Sequence, residues 1–210
     1  MLGALWQGAT RAPLDGDVRA SRRRRMLAAM VEAVAETGYA AVTVSDITSR
    51  ARVSPATFYE EFADTSTCFL AAVEACAARL ASTLETAAPA HLPPRQRLRR
   101  FLGRMLDELA ASPDIARVCL VESLAAGPPA MALRQELHAG AAAQLRGLHE
   151  TLAAAGEPVR PVTDVDLEAL AGAIITLVTH RLASGDPAAL RPLHAPMVTI
   201  VLTHFGLPPP

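Results

Sequence analysis

The sequence predicts an all-α chain of about nine helices, and three observations carry that prediction. Apolar residues recur at helical spacing through most of the 210 residues, while the alternation expected of strands is scarce. Proline and glycine collect in short clusters between the periodic stretches, where they end one helix and open the next. Hydrophobic residues make up 51% of the chain, ample for a core at a length that suits one large or two small domains.

Taken in order, residues 1–18 scatter Gly, Pro and Asp and are expected to be a flexible arm. Such an arm is either disordered or able to reach a DNA minor groove. A first helix over Arg19–Thr37 carries Met26, Met30, Val31 and Val34 at helical spacing and stops at Gly38, a C-terminal glycine cap. Thr43 to Phe62 then reads as two short helices joined by a tight turn. Val44, Ile47 and Ala51 share one face of the first, and Phe58 and Phe62 form the stripe of the second. Ser54 is placed as an N-cap with Pro55 at the first helical position, where a missing N–H costs nothing. Thr57 and Tyr59 are left to face outward. This is the spacing of a DNA-reading helix-turn-helix, whose second helix enters a major groove. Asp64 or Thr65 caps a fourth helix to about Leu84, so residues 19–85 form a four-helix bundle.

From residue 94 to 206 helix follows helix. Pro94 opens one to Ala111 with Leu98, Phe101, Leu102, Met105, Leu106 and Leu109 on a broad apolar face. Ser112-Pro113 starts another in which Ile115, Val118, Cys119, Leu120, Val121 and Leu124 are expected to be buried on most sides. After Gly127-Pro-Pro129 a long helix runs to Gly156, and Thr163 or Asp164 caps the next, which ends at Gly185-Asp-Pro187. A final helix starts near Pro192.

Thr37-Gly-Tyr39, Thr43-Val-Ser-Asp-Ile47, Val53-Ser-Pro-Ala-Thr-Phe-Tyr59, Phe62 and Cys68-Phe-Leu-Ala-Ala72 resemble the N-terminal domain of the TetR family of transcriptional regulators, over roughly residues 20–80. Cys119-Leu-Val-Glu-Ser-Leu-Ala-Ala-Gly-Pro128 resembles the C-terminal domain of one subgroup. The resemblance implies an all-helical homodimer that binds a palindromic operator, with a variable C-terminal domain for a small-molecule inducer and for dimerisation through the last two helices. It implies DNA contacts at Thr43, Arg52, Ser54, Ala56, Thr57 and Tyr59. The chain departs from the family with Glu61 where His is common, Thr65 where Lys is common and Arg52 where Gly is common. One lost cation and one added anion near DNA would reduce the salt slope by something like one phosphate contact.

Charge is placed rather than abundant. The net charge is −1 and there is no Lys, but residues 19–59 hold seven arginines (Arg19, Arg22, Arg23, Arg24, Arg25, Arg50 and Arg52) against Glu32, Glu36 and Asp46, a net +4. The Arg22–Arg25 run is either a phosphate contact or the solvated start of the first helix, since at most two of four consecutive helical residues face one way. Three cysteines, Cys68, Cys76 and Cys119, without a CxxC pair or secretory signal, point to a reducing cytoplasm. They read as small buried hydrophobes, with redox sensing as the alternative. The longest apolar run, Ala169–Val178, is too short to span a bilayer.

Small residues Ala169, Ala171, Gly172 and Ala173 beside Ile174, Ile175, Leu177 and Val178 suit either a close-packed dimer interface or a core helix. Candidate ligand-binding residues are polar or adaptable side chains on apolar helices: Met105, Cys119, Glu122, His149, Thr176 and His180. A buried Glu122 paired with Arg104 or Arg181 is an equal reading. No motif for nucleophilic catalysis, nucleotide binding or a metal-ligating pair is present, so neither an enzyme, a cofactor nor a metal is expected. The sequence therefore points to a dimeric regulator, a repressor released by a small hydrophobic ligand. The alternatives are a helical small-molecule-binding protein with weakened DNA affinity and a partner-dependent co-regulator.

Overall fold

The computed structural model describes residues 15–85 and 91–209. These residues form nine α-helices and three 3-10 turns, without a strand among them. Of the expected arm, residues 1–14 lie outside the described residues. Residues 15–18 already belong to α1 (Asp15–Thr37), which starts one turn before the predicted Arg19.

Met26, Met30 and Val34 lie four apart on α1, and each is wholly shielded from solvent. The helix ends where Gly38 adopts φ 79°, a left-handed conformation open to glycine at no steric cost, and the Gly38 N–H donates to Val34 O at 2.9 Å. A 3-10 turn, Tyr39–Ala41, leads into α2 (Val44–Ala51) and α3 (Pro55–Glu61). The fourth helix, α4 (Thr65–Glu85), is capped by Asp64, whose carboxylate accepts from the Thr67 N–H at 2.7 Å. That bond holds the Asp64 carboxyl below the usual carboxylate range. Thr65–Leu84 has the length and mean hydropathy, 1.3, of a membrane-crossing segment. One face of it is turned inward, however: Cys68, Phe69, Ala72, Val73 and Cys76 are all buried where α4 packs on α1 and α6.

The second half begins with α5 (Pro94–Ala111) and α6 (Pro113–Leu120). A 3-10 turn, Glu122–Ala125, follows α6 and overturns one expectation. Leu124 is 52% exposed, because the tighter turn brings Ser123 inward instead, its hydroxyl donating to Cys119 O at 2.6 Å. Then come α7 (Pro128–Ala154), α8 (Asp164–Ala183), a 3-10 turn over Pro187–Leu193, and α9 (His194–His204). Thr163 opens α8 with a reciprocal capping box to Asp166, which with Arg160 holds the Asp166 carboxyl down to about 2. α7 packs along α8, and α5 packs against α9 and the 3-10 turn that precedes it. Buried side chains of both halves merge into one continuous apolar cluster, so the bundle of residues 19–85 sits on the rest without a wet seam. All three cysteines are buried, and burial pushes the Cys68 thiol up to about 12.

Candidate nucleic-acid interface

Local chemistry fixes the two short helices. Thr43 accepts the Asp46 N–H on its hydroxyl at 3.3 Å, while the Asp46 carboxylate accepts the Thr43 N–H at 2.9 Å and the Thr43 hydroxyl at 2.6 Å. This box holds the Asp46 carboxyl below its ordinary range. It also commits the hydroxyl proton of Thr43 to Asp46, so Thr43 sets the start of α2 rather than offering a free donor. The turn that follows is closed by Val53 N–H reaching back to Thr48 O at 3.1 Å over Arg52, which sits at φ 53°, ψ 53°. A side chain in that left-handed region costs roughly 1–2 kcal/mol. Ser54 then caps α3, accepting the Thr57 N–H at 3.1 Å, with Pro55 at the first helical position.

α3 has two distinct faces. Phe58 is fully buried and Phe62 is 2% exposed, and the two rings touch at 5.7 Å. On the other side Ala56 is exposed, Thr57 half-buried, and Tyr59 is 58% exposed with its ring edge-on to Phe58 at 5.4 Å. Arg52 and Ser54 are exposed at the turn. The structure therefore leaves Arg52, Ser54, Ala56 and Tyr59 open to solvent at the turn and on α3, with Thr57 half-buried beside them and Thr43 at the head of α2.

Arginine pairing was not visible in the sequence. Arg50 forms a bidentate pair with Glu36 at 3.0 and 2.7 Å, which holds the Glu36 carboxyl below its usual range. Arg19 and Arg23, on α1, both turn to Glu61 at the end of α3. Glu61 thus faces two cations of its own chain, neither of them Arg52, the compensating charge that the sequence offered.

The six ligand candidates fall at separate places. Cys119 is buried, with its thiol toward Val73 O at 3.9 Å, and Met105 is half-buried on α5. His149 faces Arg160 O at 2.9 Å and lies edge-on to Phe205. Thr176 and His180 are exposed on α8, near Leu177. None of the six lines the small cavity between α4, α5 and α6, which is bounded by Arg79, Leu80, Leu109, Ile115 and Ala116. Glu122 pairs with neither Arg104 nor Arg181. One carboxylate oxygen accepts the Tyr39 N–H at 3.0 Å and the other accepts Arg117 at 3.1 Å, joining the corner after α6 to the turn before α2. No spacing rule connects residues so far apart in the chain. Among the described residues, no group of three or more His, Cys, Asp or Glu side chains is placed to hold a metal ion.

Residues 26–72 match the family described as bacterial regulatory proteins, tetR family. Solved structures share the whole fold. The fatty acid degradation regulator FadR from Bacillus halodurans superposes with a TM-score of 0.74 at 18% identity, over 92% of this chain and 97% of that one. FadR from Bacillus subtilis, solved in complex with stearoyl-CoA, gives 0.73 at 19% identity over 86% and 98%. A tetR-family regulatory protein from Rhodococcus RHA1 gives 0.70 at 22% identity over 89% and 97%. No curated protein matches the sequence.

Proposed function

We propose that this chain, placed by residues 26–72 in the tetR family of bacterial regulatory proteins, is a cytoplasmic homodimeric repressor that leaves its operator when a small hydrophobic molecule binds. The observation that carries the reading is the exposed face of α3, where Ala56 and Tyr59 stand outward, with Thr57 half-buried beside them, on a helix locked by Phe58 and Phe62 beneath it. Arg52 and Ser54 anchor the turn against the DNA backbone. Ala56 and Thr57 approach base edges or thymine methyl groups, and Tyr59 holds a phosphate through its hydroxyl.

Two readers are needed for a palindrome, and α8 with α9 supplies the pairing face. Val165, Leu177 and Ile200 are exposed there, at 72%, 36% and 37%, on helices whose opposite faces are buried. Thr176 and His180 lie exposed on α8 beside Leu177 and are better placed for that interface than for a ligand. The ligand would lodge among α4 to α7, near Met105 and Cys119. The stearoyl-CoA of the Bacillus subtilis structure makes a fatty acyl compound the first class to test. An inducer acts only by binding one arrangement of the two readers better than the other.

The test is binding of the intact protein to random duplex DNA across a salt series. Affinity should fall linearly with the logarithm of salt concentration. Tyr59→Phe should weaken operator and random DNA alike by roughly tenfold or more, the value of one hydrogen bond to a charged group, about 1.5–3 kcal/mol. Salt-independent or absent binding would favour a small-molecule-binding protein without DNA affinity.

A further inference from the structure

Glu61 ends the reader helix, yet its side chain is only 7% exposed. Two arginines of α1 occupy its carboxylate. The Arg19 Nε–H donates to one oxygen, and Arg23 Nη1 lies 3.6 Å from the other. The two are held differently. Arg23 is also seated on an aromatic face, its guanidinium carbon 4.6 Å from the centroid of Phe62. Arg19 is 72% exposed and reaches Glu61 from the solvent side. Arg19, Arg22, Thr57, Glu60 and Glu61 line one open groove between α1 and α3. The Arg19 guanidinium therefore lies on the same side of the reader as Thr57.

Arg19 reaches Glu61 from the solvent side, where water and salt weaken the attraction between the two charges. A guanidinium placed on duplex DNA gains a phosphate partner and releases condensed counterions, a larger gain at low salt. Exchange of Arg19 from carboxylate to phosphate is therefore favourable. It leaves no stranded charge, because Arg23 stays against Glu61. We infer that Glu61 is an internal stand-in for a DNA phosphate: it holds Arg19 on α3 in the free protein and yields it to the DNA backbone on binding. The inference rests on the DNA-binding reading above. Its consequence is a lowered affinity for random sequence, since every encounter must first break the Arg19–Glu61 pair. The same pair breaks on the operator, so both affinities fall together and the ratio between them is unchanged.

The experiment compares the full-length protein with Glu61→Gln, Glu60→Gln, Arg19→Gln and the Arg19→Gln/Glu61→Gln double variant. Fluorescence anisotropy with a random duplex is read from 50 to 200 mM salt, and circular dichroism checks each fold. Glu61→Gln keeps the shape of the side chain but cannot hold Arg19 as an ion. It should bind random DNA up to about fivefold more tightly, the worth of a solvent-side ion pair, with the slope unchanged because Arg19 meets the same phosphate in both proteins. Arg19→Gln should instead flatten the slope by about 0.9. The gain should vanish in the double variant. Glu60→Gln removes an equal charge from an exposed neighbour and should give a much smaller gain in affinity. No gain in Glu61→Gln, an equal gain in Glu60→Gln, a gain that survives loss of Arg19, or a slope unmoved in Arg19→Gln would each overturn the inference while leaving DNA binding intact. Tight binding by Glu61→Gln where the unaltered protein binds weakly would support it. Absence of binding by every variant would overturn the DNA-binding reading and the inference with it.

Discussion

In the reader, α2 and α3 are eight and seven residues long, far below the length at which a helix persists alone. Each is held residue by residue, through the Thr43–Asp46 box, the Ser54 cap, the left-handed Arg52 and the rings of Phe58 and Phe62. In the C-terminal half α7 and α8 run 27 and 20 residues and are held mainly by bulk apolar burial, with polar ties at their ends. The comparison separates two kinds of tolerance. On the proposed function, a surface that meets a fixed lattice of phosphates has its geometry over-determined by specific contacts, whereas a domain that admits a ligand needs volume and apolarity more than any particular partner.

The largest expected effect breaks the comparison most directly. Phe58→Ala should cost about 3–5 kcal/mol and abolish duplex binding, since the outward face of α3 is aligned by that ring. Leu106→Ala on α5, equally shielded, should cost about 2–5 kcal/mol in urea unfolding yet retain duplex binding wherever the protein remains folded. Equal losses of binding at equal folded fraction would erase the distinction between the halves. Next comes Glu122→Ala, which cuts the tie between them. Arg117 and the Tyr39 N–H lose their acceptor, for about 1–3 kcal/mol in urea and faster hydrogen exchange at Tyr39.

Arg52→Gly should move stability and binding in opposite directions. Glycine relieves roughly 1 kcal/mol of left-handed strain, while the lost cation weakens random-duplex binding. A melting temperature that falls would show that the turn is held some other way. The smallest effect is confined to acid and to the second half. The folded-state value of Asp166, about 2, lies below its ordinary 3.8, so its contribution is complete above about pH 4 and fades as pH falls toward 2. The urea midpoint of Asp166→Asn should trail the unaltered protein at pH 5 and meet it near pH 2. A constant gap across that range would remove the carboxylate from the account.

These contrasts also explain what the sequence disclosed. The Ser54 cap and the glycine at position 38 are local signals within four residues of what they control and are found where the spacing placed them. Of the paired candidates Asp64 or Thr65 and Thr163 or Asp164, the first of each is the cap. The outward edge of α3 followed from its two phenylalanines. The ties that set charge and domain contact were invisible, because Arg19 meets Glu61 across 42 residues and Tyr39 meets Glu122 across 83. Leu124 was misplaced because an apolar residue on a 3-10 turn obeys a different rotation from the α-helix before it. The ligand residues carried no pattern beyond polar atoms on apolar helices. A region selected for volume leaves little grammar to read.

The burial of all three thiols has a practical consequence for following the reader in solution. The only cysteines in the chain are enclosed, so a maleimide dye should ignore the native protein. A single cysteine substituted at an outward position such as Glu60 would then be the sole labelling point, and a fluorophore there would report the approach of a duplex without removal of any natural residue from the interior.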